Sequence, residues 1–217
     1  MGGWTRWALA GLVGCWVIVA GADLSAQERP KLTVGIEAGP SLSKFSGPSI
    51  RAPSYIVGGF AGAFVEYRRS DLVSFPIGLN WVRKGGEGAT LANAPFTITT
   101  SYLEIPVLLN LTAPTTRAGH LGIYVGLSAG FQLGCDVKGD GGTTECGDTE
   151  IFDTDPEKME WAVPFGIEYD RELSNGQLIG VDIRYSYGLT DLFTSGDANL
   201  ESRTWMFLVS WAFPAIP

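Results

Sequence analysis

At 217 residues the chain has the length of a single β-barrel domain, and its formal net charge of −8 is the wrong sign for a nucleic-acid partner, which needs clustered Lys and Arg. One histidine, His120, is too few for a histidine-rich metal site, and no GxxxxGK[ST], HExxH or CxxC motif is present. Charged residues make up only 18% of the chain while Gly and aromatics are abundant, an unusual balance for a surface that faces water on all sides.

The first 26 residues, MGGWTRWALAGLVGCWVIVAGADLSA, read as an export signal. Arg6 forms the basic head, Trp7 to Ala22 the apolar core, and Leu24-Ser25-Ala26 the cleavage site before Gln27. That core is short of the roughly 20 apolar residues of a membrane helix. Leu12-Val13-Gly14-Cys15 also resembles a lipobox, but Trp16-Val17-Ile18-Val19 keeps the run apolar where a lipoprotein turns polar. Cleavage near Ala26 and a mature domain over 27–217 are therefore expected. The mature chain then retains Cys135 and Cys146, which in an exported protein are disulfide candidates. Two free thiols are the alternative.

Eight strand-like segments follow, separated by clusters of Gly, Pro, Asn, Asp and Ser. They run Leu32–Phe45, Tyr55–Arg68, Leu72–Lys84, Ile98–Thr112, His120–Gly134, Met159–Arg171, Gln177–Thr190 and Arg203–Phe213. The first two are diluted by Gly and Ala. The third sets Val73, Phe75, Ile77, Leu79 and Trp81 against Ser74, Pro76, Gly78 and Asn80. The fourth sets Leu103, Ile105, Val107, Leu109 and Leu111 against Tyr102, Glu104, Pro106, Leu108, Asn110 and Thr112. The fifth to eighth alternate in the same way, ending with Trp205, Phe207, Val209, Trp211 and Phe213 against Thr204, Met206, Ser210 and Ala212.

Period-two alternation fits a soluble sandwich with the apolar face inward, or a membrane barrel with it outward. Three features select the barrel. The apolar face is nearly free of charge and carries aromatics near strand ends, as an interfacial girdle does. The opposite face is Gly- and Ser-rich, too small and sparsely charged for a soluble surface but suited to a narrow lumen. Short connections (Arg69–Asp71, Ala113–Gly119, Glu172–Gly176) alternate with long ones (Ser46–Ser54, Gly85–Thr97, Cys135–Lys158, Asp191–Ser202), which is the outer-membrane arrangement. The expected fold is all-β: an eight-stranded antiparallel transmembrane β-barrel in up-and-down meander order.

YLEIPVLLNL at Tyr102–Leu111, GLSAGFQLG at Gly126–Gly134 and IRYSYGLTDL at Ile183–Leu192 resemble strand motifs of the PorT-like outer-membrane β-barrel family. The similarity spans about residues 30–213. It implies the barrel fold and an outer-membrane location, and allows a part in a protein-secretion or envelope-assembly complex. Trp211-Ala212-Phe213 supplies the aromatic ending that the barrel-assembly machinery reads in such proteins, although Pro214-Ala215-Ile216-Pro217 follows it and Leu208 stands where a Gly is usual.

The lumen face places Glu37, Glu66, Glu104, Glu168, Asp182 and Arg184 inside, where an eight-stranded barrel is just filled by side chains. Unpaired charges are costly there, so a polar network around Arg184 is expected in preference to an ion path or gate. The loop CDVKGDGGTTECGDTEIFDTDPEK carries Asp136, Asp140, Glu145, Asp148, Glu150, Asp153, Asp155 and Glu157. Its spacing does not match an EF-hand, so a solvated outward loop is expected in preference to a Ca²⁺ site. His120 has Gly122, not a nucleophile, as its same-face neighbour, and no catalytic constellation is found. The expectation is a monomer without cofactor or catalysis, with partners among outer-membrane lipid and lipopolysaccharide, the assembly machinery and other envelope proteins. A small pore is the alternative.

Overall fold

The computed structural model describes residues 31–47, 51–89, 95–114, 119–139, 141–146, 157–192 and 200–216. The export signal, Cys15, and Asp140, Asp148, Glu150, Asp153 and Asp155 of the acidic loop lie outside the described residues. The chain forms β1 (Leu32–Ser46), β2 (Arg51–Ser54), β3 (Ile56–Arg68), β4 (Val73–Ala89), β5 (Pro95–Pro114), β6 (Gly119–Gly139), β7 (Gly142–Glu145), β8 (Met159–Glu172), β9 (Leu178–Gly188) and β10 (Glu201–Ile216). Eight of these are barrel staves, each paired antiparallel with its neighbours in the order β1-β3-β4-β5-β6-β8-β9-β10, and β10 returns to β1. The eight staves correspond to the eight segments read from the alternation. The short β2 and β7 are additions, hairpin pieces on β4 and β6 in the long-loop region.

The wall faces as the alternation requires. Ile77, Val107, Ile123, Ile167 and Val209 are exposed on the outside, while their neighbours Asn80, Leu108, Tyr124 and Met206 are buried inside. An unbroken apolar exterior on a closed sheet matches a hydrocarbon solvent, because closure satisfies the backbone groups that lipid cannot. The staves are longer than the sequence pattern suggests. β5 has 20 residues and β6 has 21, about twice the roughly 9–11 needed to cross a bilayer. The excess lies at the long-loop end: Gly85–Ala89 pairs with Pro95–Thr99, and Thr97–Thr100 pairs with Cys135–Lys138. These three staves stand above the rest as a raised wall. At the opposite rim Gly176, with φ +80°, makes the tight β8–β9 turn that only a residue without Cβ adopts without strain.

If the outer face meets hydrocarbon, depth governs the cost of a charge. Val107→Arg, in mid-stave, is expected to destabilise the lipid-embedded barrel by about 2–4 kcal/mol, and Val57→Arg, beside the long-loop rim, by about 0–1 kcal/mol. Denaturant unfolding in vesicles measures both; equal costs would contradict the outward assignment.

Candidate functional site

The lumen is built in layers, each set by which alternate residues reach inward at that height. Nearest the short turns lies a small, partly enclosed cavity of about 50 Å³, with Glu37, Glu66, Glu168, Asp170 and Asp182 in its lining. Above it Arg184 fills the bore. Its guanidinium donates to both oxygens of Glu37, at 3.1 and 2.8 Å, and to Asp182 Oδ2 at 2.8 Å. Arg184 Nε donates to Tyr124 Oη at 3.0 Å, and that hydroxyl donates in turn to Asp182 Oδ1 at 2.6 Å. Tyr124 can lie across the bore because the residue beneath it is Gly166: a Cβ there would sit 2.5 Å from the Tyr124 oxygen.

The next layer is apolar, made by Phe60, Val82, Tyr102, Met206 and Leu208. A second ionic layer follows, centred on Lys84, whose ammonium is fully buried. Lys84 Nζ lies 2.5 Å from Glu104 Oε1 and 2.8 Å from Glu160 Oε2, and 5.2 Å from the Tyr102 ring centre. Ser202 Oγ donates to the other oxygen of Glu160. A fifth, apolar layer closes the outer mouth: Phe45, Phe96, Ile98, Val137, Leu192 and Leu200, with Cys146 packed among them. Cys135 and Cys146 are joined as a disulfide, Cα atoms 5.4 Å apart, tying the start of the raised β6 extension to the end of β7.

The structure therefore brings the expected lumen residues inside but divides them. A single network around Arg184 is not what forms. Arg184 takes Glu37 and Asp182, Glu104 belongs to Lys84, Glu66 pairs with Arg68 at 2.8 Å, and Glu168 accepts from Asn110 Nδ2 at 2.5 Å. The staves tilt and stagger on closing, so carboxylates on the same face lie at different heights, and no guanidinium spans them all. Lys84, Glu160 and Tyr124 were not among the expected members, although each holds the inward parity of its stave. The adjoining inward residues Val82, before Lys84, and Ala162, after Glu160, are apolar, which masks that parity. His120 sits at the short-turn end of β6 opposite Asp170 and Pro114. Trp211 and Phe213 face outward at the same rim with ring centres 5.1 Å apart, and Trp211 Nε1 donates to Gln177. Pro214 and Ile216 continue β10, paired with Thr33 and Leu32. Among the described residues no cluster of His, Cys, Asp and Glu has the arrangement to hold a metal ion.

A family model matches most of the chain. Residues 25–194 match the family described as outer membrane protein beta-barrel domain. Among solved structures, the chain is similar to the attachment invasion locus protein Ail of Yersinia pestis, crystallised with the heparin analogue sucrose octasulfate. Identity there is 11% and the TM-score 0.44, over 84% of this chain and 99% of that one. It is also similar to Neisserial surface protein A, at 11% identity and TM-score 0.48, over 85% and 97%. The third is AlkL in lipid bilayers, at 13% identity and TM-score 0.46, over 88% and 93%. No curated protein matches the chain.

Removing a single partner from a buried ion cluster leaves the others uncompensated. Arg184→Ala is expected to lower the stability of the barrel by about 3–5 kcal/mol. Arg184→Met combined with Glu37→Gln and Asp182→Asn is expected to recover most of that loss, because no charge is then stranded. Urea unfolding in lipid vesicles compares them; an unchanged midpoint for Arg184→Ala would exclude the Arg184 layer as a structural element.

Proposed function

This chain belongs to the outer membrane protein beta-barrel domain family, and from that premise we propose that it works as a non-conducting structural or interaction protein whose outward loops are the recognition surface. The observation that carries the reading is the filled bore: two ionic layers and two apolar layers alternate between the small cavity and the outer mouth. Ions crossing a low-dielectric bore need water, and the layer of Phe, Leu and Ile at the mouth leaves only a cavity of about 10 Å³ beside Phe45, Leu192 and Leu200, too small for a hydrated ion. The same apolar layer packs the β5 and β6 part of the raised wall, through Phe96, Ile98 and Val137, against Phe45, Leu192 and Leu200, and makes it a small folded platform. It has its own core and its own disulfide, as a recognition surface requires and a simple sealed turn does not.

In this reading the protein is not an enzyme, it acts as a monomer, and its surroundings are outer-membrane lipid and lipopolysaccharide. Trp211 and Phe213 are the residues we assign to the assembly signal. The narrower PorT-like affiliation, carried by Tyr102–Leu111 and Ile183–Leu192, adds a secretion or envelope-assembly complex as the partner. Copurification through the short turns and termini tests that branch.

Planar-bilayer recording is expected to give no stepwise conductance for the wild-type barrel; reproducible steps would replace this proposal with the small pore. Cys135→Ser with Cys146→Ser is expected to leave the heat-dependent gel mobility of the barrel intact while speeding protease cleavage in the outward loops. Loss of the mobility shift in that variant would mean that the staple serves the barrel and not the platform.

A further inference from the structure

A row of cations and tyrosines crosses the long-loop rim of the wall on the side that faces lipid. Between the rims no outward position of the described staves carries a charge. On the long-loop side that band ends at three aromatics on neighbouring staves, Phe165, Tyr185 and Trp205, with ring centres 5.4 and then 4.6 Å apart. Such rings settle at the boundary between hydrocarbon and headgroups. Two residues further out along β9 and β10 stand Tyr187 and Arg203, and the row continues through Lys44 of β1 to Tyr55. Lys44 and Arg203 point outward, because the residues flanking them, Ser43 and Phe45, Ser202 and Thr204, are buried inside. The row therefore lies at the depth of the outer leaflet's headgroups.

The two cations are Cα partners across β1 and β10, a pairing of like charges that costs stability unless an anion stands beside it. Arg203 is fixed to the wall. Its Nη1 donates to the carbonyls of Gly188 and Ser202 at 3.0 and 2.9 Å, and Nη2 meets Glu201 at 2.5 Å. Its guanidinium lies over Tyr187, 3.5 Å from the ring centre. Glu201 thus offsets one of the two charges. Lys44 keeps the other: among the described residues it forms no ion pair, and its ammonium sits 4.9 Å from the centre of the Tyr55 ring. Tyr55 and Tyr187, both exposed, bring a hydroxyl to each end of the row. A chain of formal net charge −8 so presents an uncompensated positive charge where lipid phosphates lie.

We propose that this row binds a phosphate of a phosphorylated glycolipid in the outer leaflet, with the Lys44 ammonium and the Tyr55 hydroxyl donating to its oxygens. Arg203, held in place by its carbonyls, supplies the second positive centre beside them. The site rests on the outer-membrane reading above and adds a defined lipid position to it. A phosphate monoester carries about −1.5 to −2 charges and three acceptor oxygens, which suits an ammonium beside a guanidinium better than a singly charged phosphodiester does. The acyl chains lie down the wall past Trp205 and Leu42, Cα partners one step nearer the bilayer centre.

The full barrel, folded in detergent, is titrated with bisphosphorylated lipid A, and retained lipid is counted by native mass spectrometry. Lys44→Gln is expected to weaken retention about tenfold, the effect of one charge-assisted hydrogen bond. Arg171→Gln, at the opposite rim, is expected to bind as the wild type does; an equal loss there makes the effect one of net charge and overturns the site. Equal retention by wild type and Lys44→Gln also overturns it, as does equal retention of lipid A stripped of its phosphates. Phosphatidylglycerol held as tightly, with the same dependence on Lys44, overturns the glycolipid as occupant. Urea unfolding separates binding from packing. In phosphatidylcholine vesicles Lys44→Gln is expected to leave the midpoint unchanged or raise it, since one of two facing like charges is gone. With lipid A present the same variant is expected to unfold at lower urea than the wild type. A lower midpoint in both lipids makes Lys44 a part of the wall and overturns the proposal. A barrel that enters vesicles and shows heat-dependent mobility but ignores lipid A sinks this site alone, whereas a chain that enters no bilayer sinks the outer-membrane reading with it.

Discussion

Everything in this protein follows from the width of an eight-stranded bore. Eight staves enclose a space that side chains just fill, so each inward residue must meet its neighbours across the lumen and none can rely on bulk water. Under that constraint Arg184 and Lys84 cannot be isolated charges. Each is held by two carboxylates, and each has a tyrosine beside it, Tyr124 and Tyr102, that fills the remaining width. The glycines of the inner face are the complement of these large groups, as Gly166 is for Tyr124. A wider barrel would let the same residues hydrate, and the layered plug would have no reason to exist.

The layers also explain why the outside can be so uniform. The sheet closes on itself, so its backbone needs no help from solvent except where proline removes a donor. Polar character is confined to the bore and the rims, and the outer face is left to Val, Ile, Leu and aromatics. Buried ion clusters are weak sources of stability, since desolvation offsets much of their attraction. Their value here is positional. Arg184 and Lys84 fit only where their carboxylates are, which pins the register against the two-residue slips that alternation alone would tolerate.

Much of this was legible in the sequence because lipid-facing strands announce themselves. Leu103, Ile105, Val107, Leu109 and Leu111 leave no other face for Glu104 and Asn110, and the eight staves and their order can be placed on that basis; the Cys135–Cys146 pair follows instead from two cysteines left in an exported chain. What was not legible depends on height. Alternation says which residues point inward but not which of them share a level, because level is set by the stagger of a closed barrel; hence the sequence groups Glu104 with Arg184, while in the structure its partner is Lys84. The extensions Gly85–Ala89 and Pro95–Thr97 carry no strand signal in the sequence because beyond the bilayer both faces meet other protein or water and the alternation fades.

The Arg184 layer has one geometric property that bears on how the barrel is completed. Arg184 belongs to β9 and Glu37 to β1, and β10 lies between them. β1 and β10 are the two ends of the meander, so this ion pair straddles the line along which the cylinder is sealed. A half-built sheet, with its ends apart, would hold a guanidinium and a carboxylate on a surface with no bore around it. The pair becomes complete only in the step that joins first stave to last. It acts as a clasp: the open form carries the penalty of separated charges in lipid, and the sealed form does not. Intermediate, partly curled states are disfavoured by the same two residues that fill the finished lumen.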